Sequence, residues 1–185
     1  MRQQLPNVWQ AARQQHASFI AATLHDQTAR LERQGQQTAV AKIGRWENDL
    51  VAVWHSAIDE QQWSLTDQMA YPLMLYYEHR NQYGVAAKLL KTLADALPDE
   101  PPNHARLAEA LALQTWMTWD TTLTPLAERA YRLAPAESRI KGQAALSFAT
   151  KQHDQLDFAA ARTLALEAAR LAAQQYDLRT LARAN

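Results

Sequence analysis

Apolar positions recur at helical spacing along almost the whole chain. Trp9, Ala12, His16, Phe19 or Ile20, Leu24 and Leu31 predict one long helix from about Pro6 to about Arg33, with Pro6 in its first turn and Gly35 breaking it. Trp46, Leu50, Val53, Trp54 and Ile58 form a second stripe, which predicts a helix over about Thr38–Glu60 pressed against the first. Ser64, Leu65, Thr66 and Asp67 carry groups suited to capping, so a third helix is expected from near Leu65 to near Arg80. Pro72 inside it would remove a backbone bond and kink the helix, or mark a later start. A partner helix follows over about Tyr83–Leu97. The run Pro98, Asp99, Glu100, Pro101, Pro102 cannot continue it and is the clearest internal boundary. Asn103 is placed to cap a helix over about His104–Trp119, and Thr124 with Pro125 starts a short one ending near Pro135. Helices over about Glu137–Gln152 and Asp157–Gln175 make a last pair, and Asp177–Ala184 supplies a final turn or two.

Three stretches of this pattern repeat. Between Asp67 and Pro98, the residues Leu73, Tyr77, Tyr83, Ala86, Leu90, Leu93 and Pro98 supply the bulky, aromatic, small and stop positions of an antiparallel helix pair. An offset of 37 places Leu107, Ala110, Leu111, Leu123, Ala127, Ala130 and Pro135 in the same roles. A further offset of 38 places Ala145, Phe148, Ala149, Phe158, Ala161, Ala165 and Ala168, without a closing proline. A helical hairpin cannot bury its apolar face alone, so such repeats stack into a scaffold with a groove.

With Tyr77 followed by Tyr83, Ala86 and the Pro98 stop, the pattern resembles a tetratricopeptide repeat. Its period is longer than that family's, and Met74, Leu111 and Ala149 stand where the family has glycine. The resemblance implies an all-α fold: a long N-terminal helical hairpin over residues 1–62, then about three antiparallel helix pairs in a right-handed array with a C-terminal capping helix over 63–185. It also implies a groove lined by Tyr71, Leu75, Glu78, His79, Thr115, Trp116, Leu146, Thr150 and His153. That groove would hold a peptide or helix of a protein partner, without catalysis and without a cofactor.

Composition narrows the chemistry. The chain has no cysteine, which excludes disulfides, thiolate metal sites and a cysteine nucleophile. Glycine occurs four times, too sparsely for a phosphate-binding loop. The six histidines are not paired at metal-ligand spacing, and no Gly-x-Ser-x-Gly elbow occurs, so a non-enzyme is expected. Met1 to His16 lacks the apolar segment of a secretory signal, and no run approaches the roughly 18 apolar residues of a membrane span. The cytoplasm is the default compartment. Of the tryptophans, Trp46 and Trp54 match a core stripe, whereas Trp116 and Trp119 bracket a helix end, where Trp116 would anchor a partner at a groove rim.

The net charge of zero conceals blocks. Residues 1–46 hold six basic and two acidic side chains, 47–100 three and nine, 101–128 one and three, and 129–185 nine and five. An acidic middle between basic ends is suited to self-association, or to presenting a basic end to an anionic partner. A long N-terminal hairpin followed by Trp54, Asp67, Met74-Leu75-Tyr76 and Ala86 is also similar in layout to the small terminase subunit of temperate tailed phages, although the basic tail is missing. This second resemblance implies recognition of DNA through Arg30, Arg33, Lys42 and Arg45.

Overall fold

The computed structural model describes residues 4–184, with side chains from Val8 onward. It is all helical, and no strand occurs among the described residues. The chain divides into two compact units, residues 1–81 and 82–185. The division falls later than the boundary at 62/63 read from the sequence, because the helix that follows that boundary packs against the helices before it.

The first unit contains α1 (Gln4–His25), α2 (Thr28–Glu32), α3 (Gln36–Gly44), α4 (Glu47–Asp59) and α5 (Trp63–His79). Neither of the two long helices expected here is continuous. After α1 the chain turns at Asp26 and Gln27, where Thr28 Oγ1 donates to the His25 carbonyl at 2.6 Å. Between α3 and α4 the N–H of Trp46 bonds back to Ile43 O at 2.8 Å, three residues earlier, which tightens the helix and ends it. Each break has a local hydrogen bond that a 3.6-residue periodicity does not register.

α5 packs against α1, α2, α3 and α4, so every residue from Met69 to Tyr77 is buried. It runs unbroken through Pro72. The proline withholds one N–H from the carbonyl of Gln68, an exposed residue. The expected start near Leu65 falls inside the helix: α5 begins at Trp63, its N-cap Gln62 makes no side-chain cap bond, and Thr66 Oγ1 donates back to Trp63 O at 2.9 Å. Trp54 is fully buried as expected. Trp46 is not a core residue; it precedes α4, is 38% exposed, and sets its ring edge-to-face on Phe19 at 6.0 Å.

The second unit contains α6 (Tyr83–Ala96), α7 (His104–Trp116), α8 (Thr124–Leu133), α9 (Arg139–Asp154), α10 (Phe158–Gln174) and α11 (Leu178–Ala184), with short 3-10 turns at Pro101–Asn103 and Thr121–Leu123. Sequential helices pack as neighbours from α6 to α11, and α9 also touches α7 and α11. Alanines dominate these contacts: Ala108, Ala110, Ala127, Ala130, Ala144, Ala145 and Ala168 have no exposed surface. At Gly142 a Cβ would stand 3.3 Å from Leu171 Cβ, so α9 and α10 approach more closely there than most side chains allow. Ser138, Asp157 and Asp177 cap α9, α10 and α11, each accepting a backbone N–H at 3.0 Å. Asn103 does not cap α7; its Oδ1 accepts from Arg106 at 3.1 Å instead.

Five inter-helix turns carry a non-glycine residue in the left-handed region: Gln61, Asn81, Glu137, Leu156 and Tyr176 each take a φ between 54° and 64°. At three of them the next N–H reaches back five residues, Gln62 to Ala57, Asp157 to Gln152 and Asp177 to Ala172. Glycine usually fills such a position, and the absence of glycine hides these turns from a sequence reading.

Candidate functional site

α9 and α10, with one residue of α11, line an open cleft of about 430 Å³. Leu146, Ala149, Thr150 and His153 line it from α9. These positions recur three or four residues apart, so α9 presents them as one stripe. From α10 come Phe158, Ala161, Arg162 and Ala165, again at helical spacing, and α11 adds Arg183. Phe158 is 57% exposed although it opens its helix immediately after the Asp157 cap. Its ring meets the His153 imidazole edge-to-face at 5.4 Å, which fixes an aromatic pair at one end of the cleft.

The charge of this lining is one-sided. Arg162 and Arg183 are both exposed, and among the described residues no carboxylate lines the cleft. The closest acid to His153 is its neighbour Asp154, at 3.9 Å. Apolar carbons beside two guanidinium groups suit a ligand that carries an apolar side chain next to a negative charge.

Behind the cleft, α9 is anchored by a buried polar stripe. Gln143, Ser147 and Lys151 lie one turn apart and are all buried. Ser147 Oγ meets Thr115 Oγ1 of α7 at 2.7 Å, and Thr115 also donates to the Leu111 carbonyl at 2.8 Å. The Lys151 ammonium donates to the carbonyl of Thr118, just beyond the C-terminus of α7, where the helix dipole favours a cation. Burial pushes the Lys151 amine below the usual lysine range, while Asp154 and Asp120 pull in the opposite direction. On α8, Tyr131 donates to Glu167 Oε2 at 2.6 Å, and this bond raises the phenol pKa to about 12. These interactions hold α7, α8, α9 and α10 in register and leave the cleft wall fixed.

Of the residues predicted to form a groove, Leu146, Thr150 and His153 are brought together in this cleft. Trp116 is half-buried against the core cluster of Ala145, Leu146 and Ala168, and the Arg183 guanidinium covers its ring at 4.4 Å. It therefore holds α11 by a cation–π contact and is not an open anchor. Thr115 is only 1% exposed and faces α9 through Ser147, so it cannot touch a partner. Tyr71 and Leu75 are likewise core residues of the first unit, Leu75 with no exposed surface and Tyr71 donating to Glu32 at 2.9 Å. Glu78 is half-buried, and His79 donates a ring N–H to the Leu31 carbonyl at 2.7 Å. Tyr71 and Leu75 share one physical reason, that α5 is enclosed by four helices over its buried length, whereas His79 lies at the exposed C-terminal end of α5.

Ala149, Phe158, Ala161 and Ala165 are read from the sequence as repeat positions and not as groove residues, and Arg162 and Arg183 are assigned to no groove. Phe158 and Arg162 stand four apart directly after a capping aspartate, a signal that was available, whereas Arg183 joins the cleft only through the packing of α11. Arg30, Arg33, Lys42 and Arg45 of the first unit are all exposed. No group of three or more His, Asp or Glu side chains among the described residues is placed to hold a metal ion, and no described helix is long and apolar enough to cross a membrane. No protein-family model matches this chain, and no curated protein or solved structure matches it either.

Proposed function

We propose that residues 82–184 form a tetratricopeptide-like binding module without catalytic activity, and that its α9–α10 cleft takes a segment of a protein partner bearing an apolar side chain beside a carboxylate. The observation that carries this reading is the cleft lining itself: Leu146, Ala149, Phe158 and Ala161 with Arg162 and Arg183, and no acid among the described residues. The helix packing supports the repeat part, because each helix touches its sequence neighbour and α9 touches both α7 and α11, the contacts a stack of helix pairs makes. The test is capture of partners from native extract by the full chain and by Phe158→Ala and Arg162→Glu variants, read by mass spectrometry after nuclease treatment. A protein retained by the parent chain and lost by at least about tenfold from Arg162→Glu fits the proposal. Equal capture by all three chains removes the cleft as the site.

A second reading, DNA recognition, is favoured by the exposure of all four cations between Arg30 and Arg45. Under it, DNA would be retained at low salt and released steeply as salt rises, and replacing Lys42 and Arg45 by Ala would flatten that dependence. Salt-independent behaviour, or no retained DNA, removes it.

A further inference from the structure

A separate groove of about 770 Å³ lies between α1 and α4 in the first unit. One stripe of α1 faces α4: Trp9, Arg13, His16, Ile20 and Leu24, spaced three or four residues apart. At the C-terminal end of this stripe Ile20 and Leu24 are closed against the unit, each 2% exposed. Towards the N-terminus the same stripe opens. Trp9 is 69% exposed, and from Val8 to Phe19 only Ala17 is even partly buried. Several turns of helix thus stand with little tertiary support, although a helix of this length is marginal in water without packing. The stripe lines the groove with Trp9, Arg13 and His16, while Val53 and Ala57 of α4 line it from the other side.

The walls have opposite charge. The α1 wall contributes Arg13 and His16, and the α4 wall with its C-cap contributes Asp49 and Glu60. Within one copy Arg13 reaches Glu60 at 2.9 Å and His16 approaches Asp49 at 4.0 Å, and all four side chains stay close to half exposed or more, so the same pairs can form between two copies with the partners exchanged. An apolar floor with an exposed tryptophan, a basic wall and an acidic wall is complementary to its own two-fold copy, because the basic wall of each copy then meets the acidic wall of the other.

We infer that the chain self-associates through this groove, each copy laying the first turns of its α1 along the acidic α4 of a second copy, with Trp9 as the apolar anchor. The inference is independent of the proposed ligand cleft, which lies on α9 and α10.

The test is sedimentation equilibrium of the full chain with three variants, Trp9→Ala, Arg13→Glu and Glu60→Arg, all at exposed positions. The parent chain should be dimeric at about 100 μM, and each variant should weaken the dimer by about tenfold or more while keeping its helical circular dichroism. An equimolar mixture of Arg13→Glu and Glu60→Arg should restore association, because both interfaces of the heterodimer then pair opposite charges. A monomeric parent chain overturns the inference, as it would if α1 simply closed onto its own α4. Association that Trp9→Ala leaves intact, that mixing fails to restore, or that nuclease treatment abolishes also overturns it, in favour of another face or a DNA bridge.

Discussion

Residues 4–81 bury large side chains: Trp54, Met69, Leu73, Tyr76 and Tyr77 are all at or below 1% exposure. Residues 82–184 bury mostly alanine and leucine, and three of their helices begin with a side-chain cap, whereas α2 to α5 begin with none. The first unit is therefore a bulky core built around α5, and its helices α2 to α5 gain no side-chain cap. The second is a stack of closely spaced helices, held as much by well-formed ends and small contact residues as by volume. A bulky core fails when it is hollowed out, and a close-packed stack fails when it is filled.

The largest expected effect follows from that contrast. Trp54→Ala should destabilise the first unit by about 3–5 kcal/mol, because it empties the fully enclosed site of the largest side chain. Hydrogen exchange should then show lost protection in α1, α4 and α5, with α9 and α10 protected as before. Uniform loss across both units would break the comparison. Next, Ala168→Leu should cost about 1–3 kcal/mol by overpacking the α9–α10 contact, where Ala168 is fully buried, and urea denaturation would measure it. An unchanged midpoint would mean that the stack has room. Asp157→Ala should cost about 1 kcal/mol through loss of the α10 cap and should raise exchange first at the Ala160 amide.

The smallest effect compares two tyrosines. Tyr77 and Tyr131 both have pKa values raised from 10.0 to about 12, the first mainly by burial and the second mainly by its hydrogen bond to Glu167. Both folded values lie above the unfolded one, so the stability they contribute is complete below pH 10.0 and is lost as the pH climbs through about 12. In Glu167→Gln, an NMR titration of the tyrosine rings should show Tyr131 falling back towards the ordinary range and Tyr77 unmoved. A joint shift would show the two to be coupled.

Much of the helix pattern was legible in the residues. The boundaries of α6, α8 and α10, the burial of Trp54, and the stripe of Leu146, Thr150 and His153 all follow from periodicity and from the residues at helix starts. Of the residues expected in a groove, Leu146, Thr150 and His153 line one cleft and the others do not join them. Tyr71 and Leu75 have the spacing of a helix face, yet spacing does not reveal how many neighbours a helix acquires, and α5 acquires four. Trp116 looked like an anchor because an aromatic at a helix end is normally open, and Arg183, distant in sequence, covers it. The breaks before Thr28 and at Trp46 were missed because single hydrogen bonds decide them.

The sequence by itself determined the helical class, the chain segments that become helices, and the segregation of basic and acidic blocks, since these depend on local propensity, periodicity and composition. Only the tertiary structure decided that α5 belongs with α1 to α4, that α1 opens away from α4, and that two arginines share a cleft with Phe158. Those outcomes depend on which surfaces meet and how closely, a competition among distant side chains that no window along the chain contains.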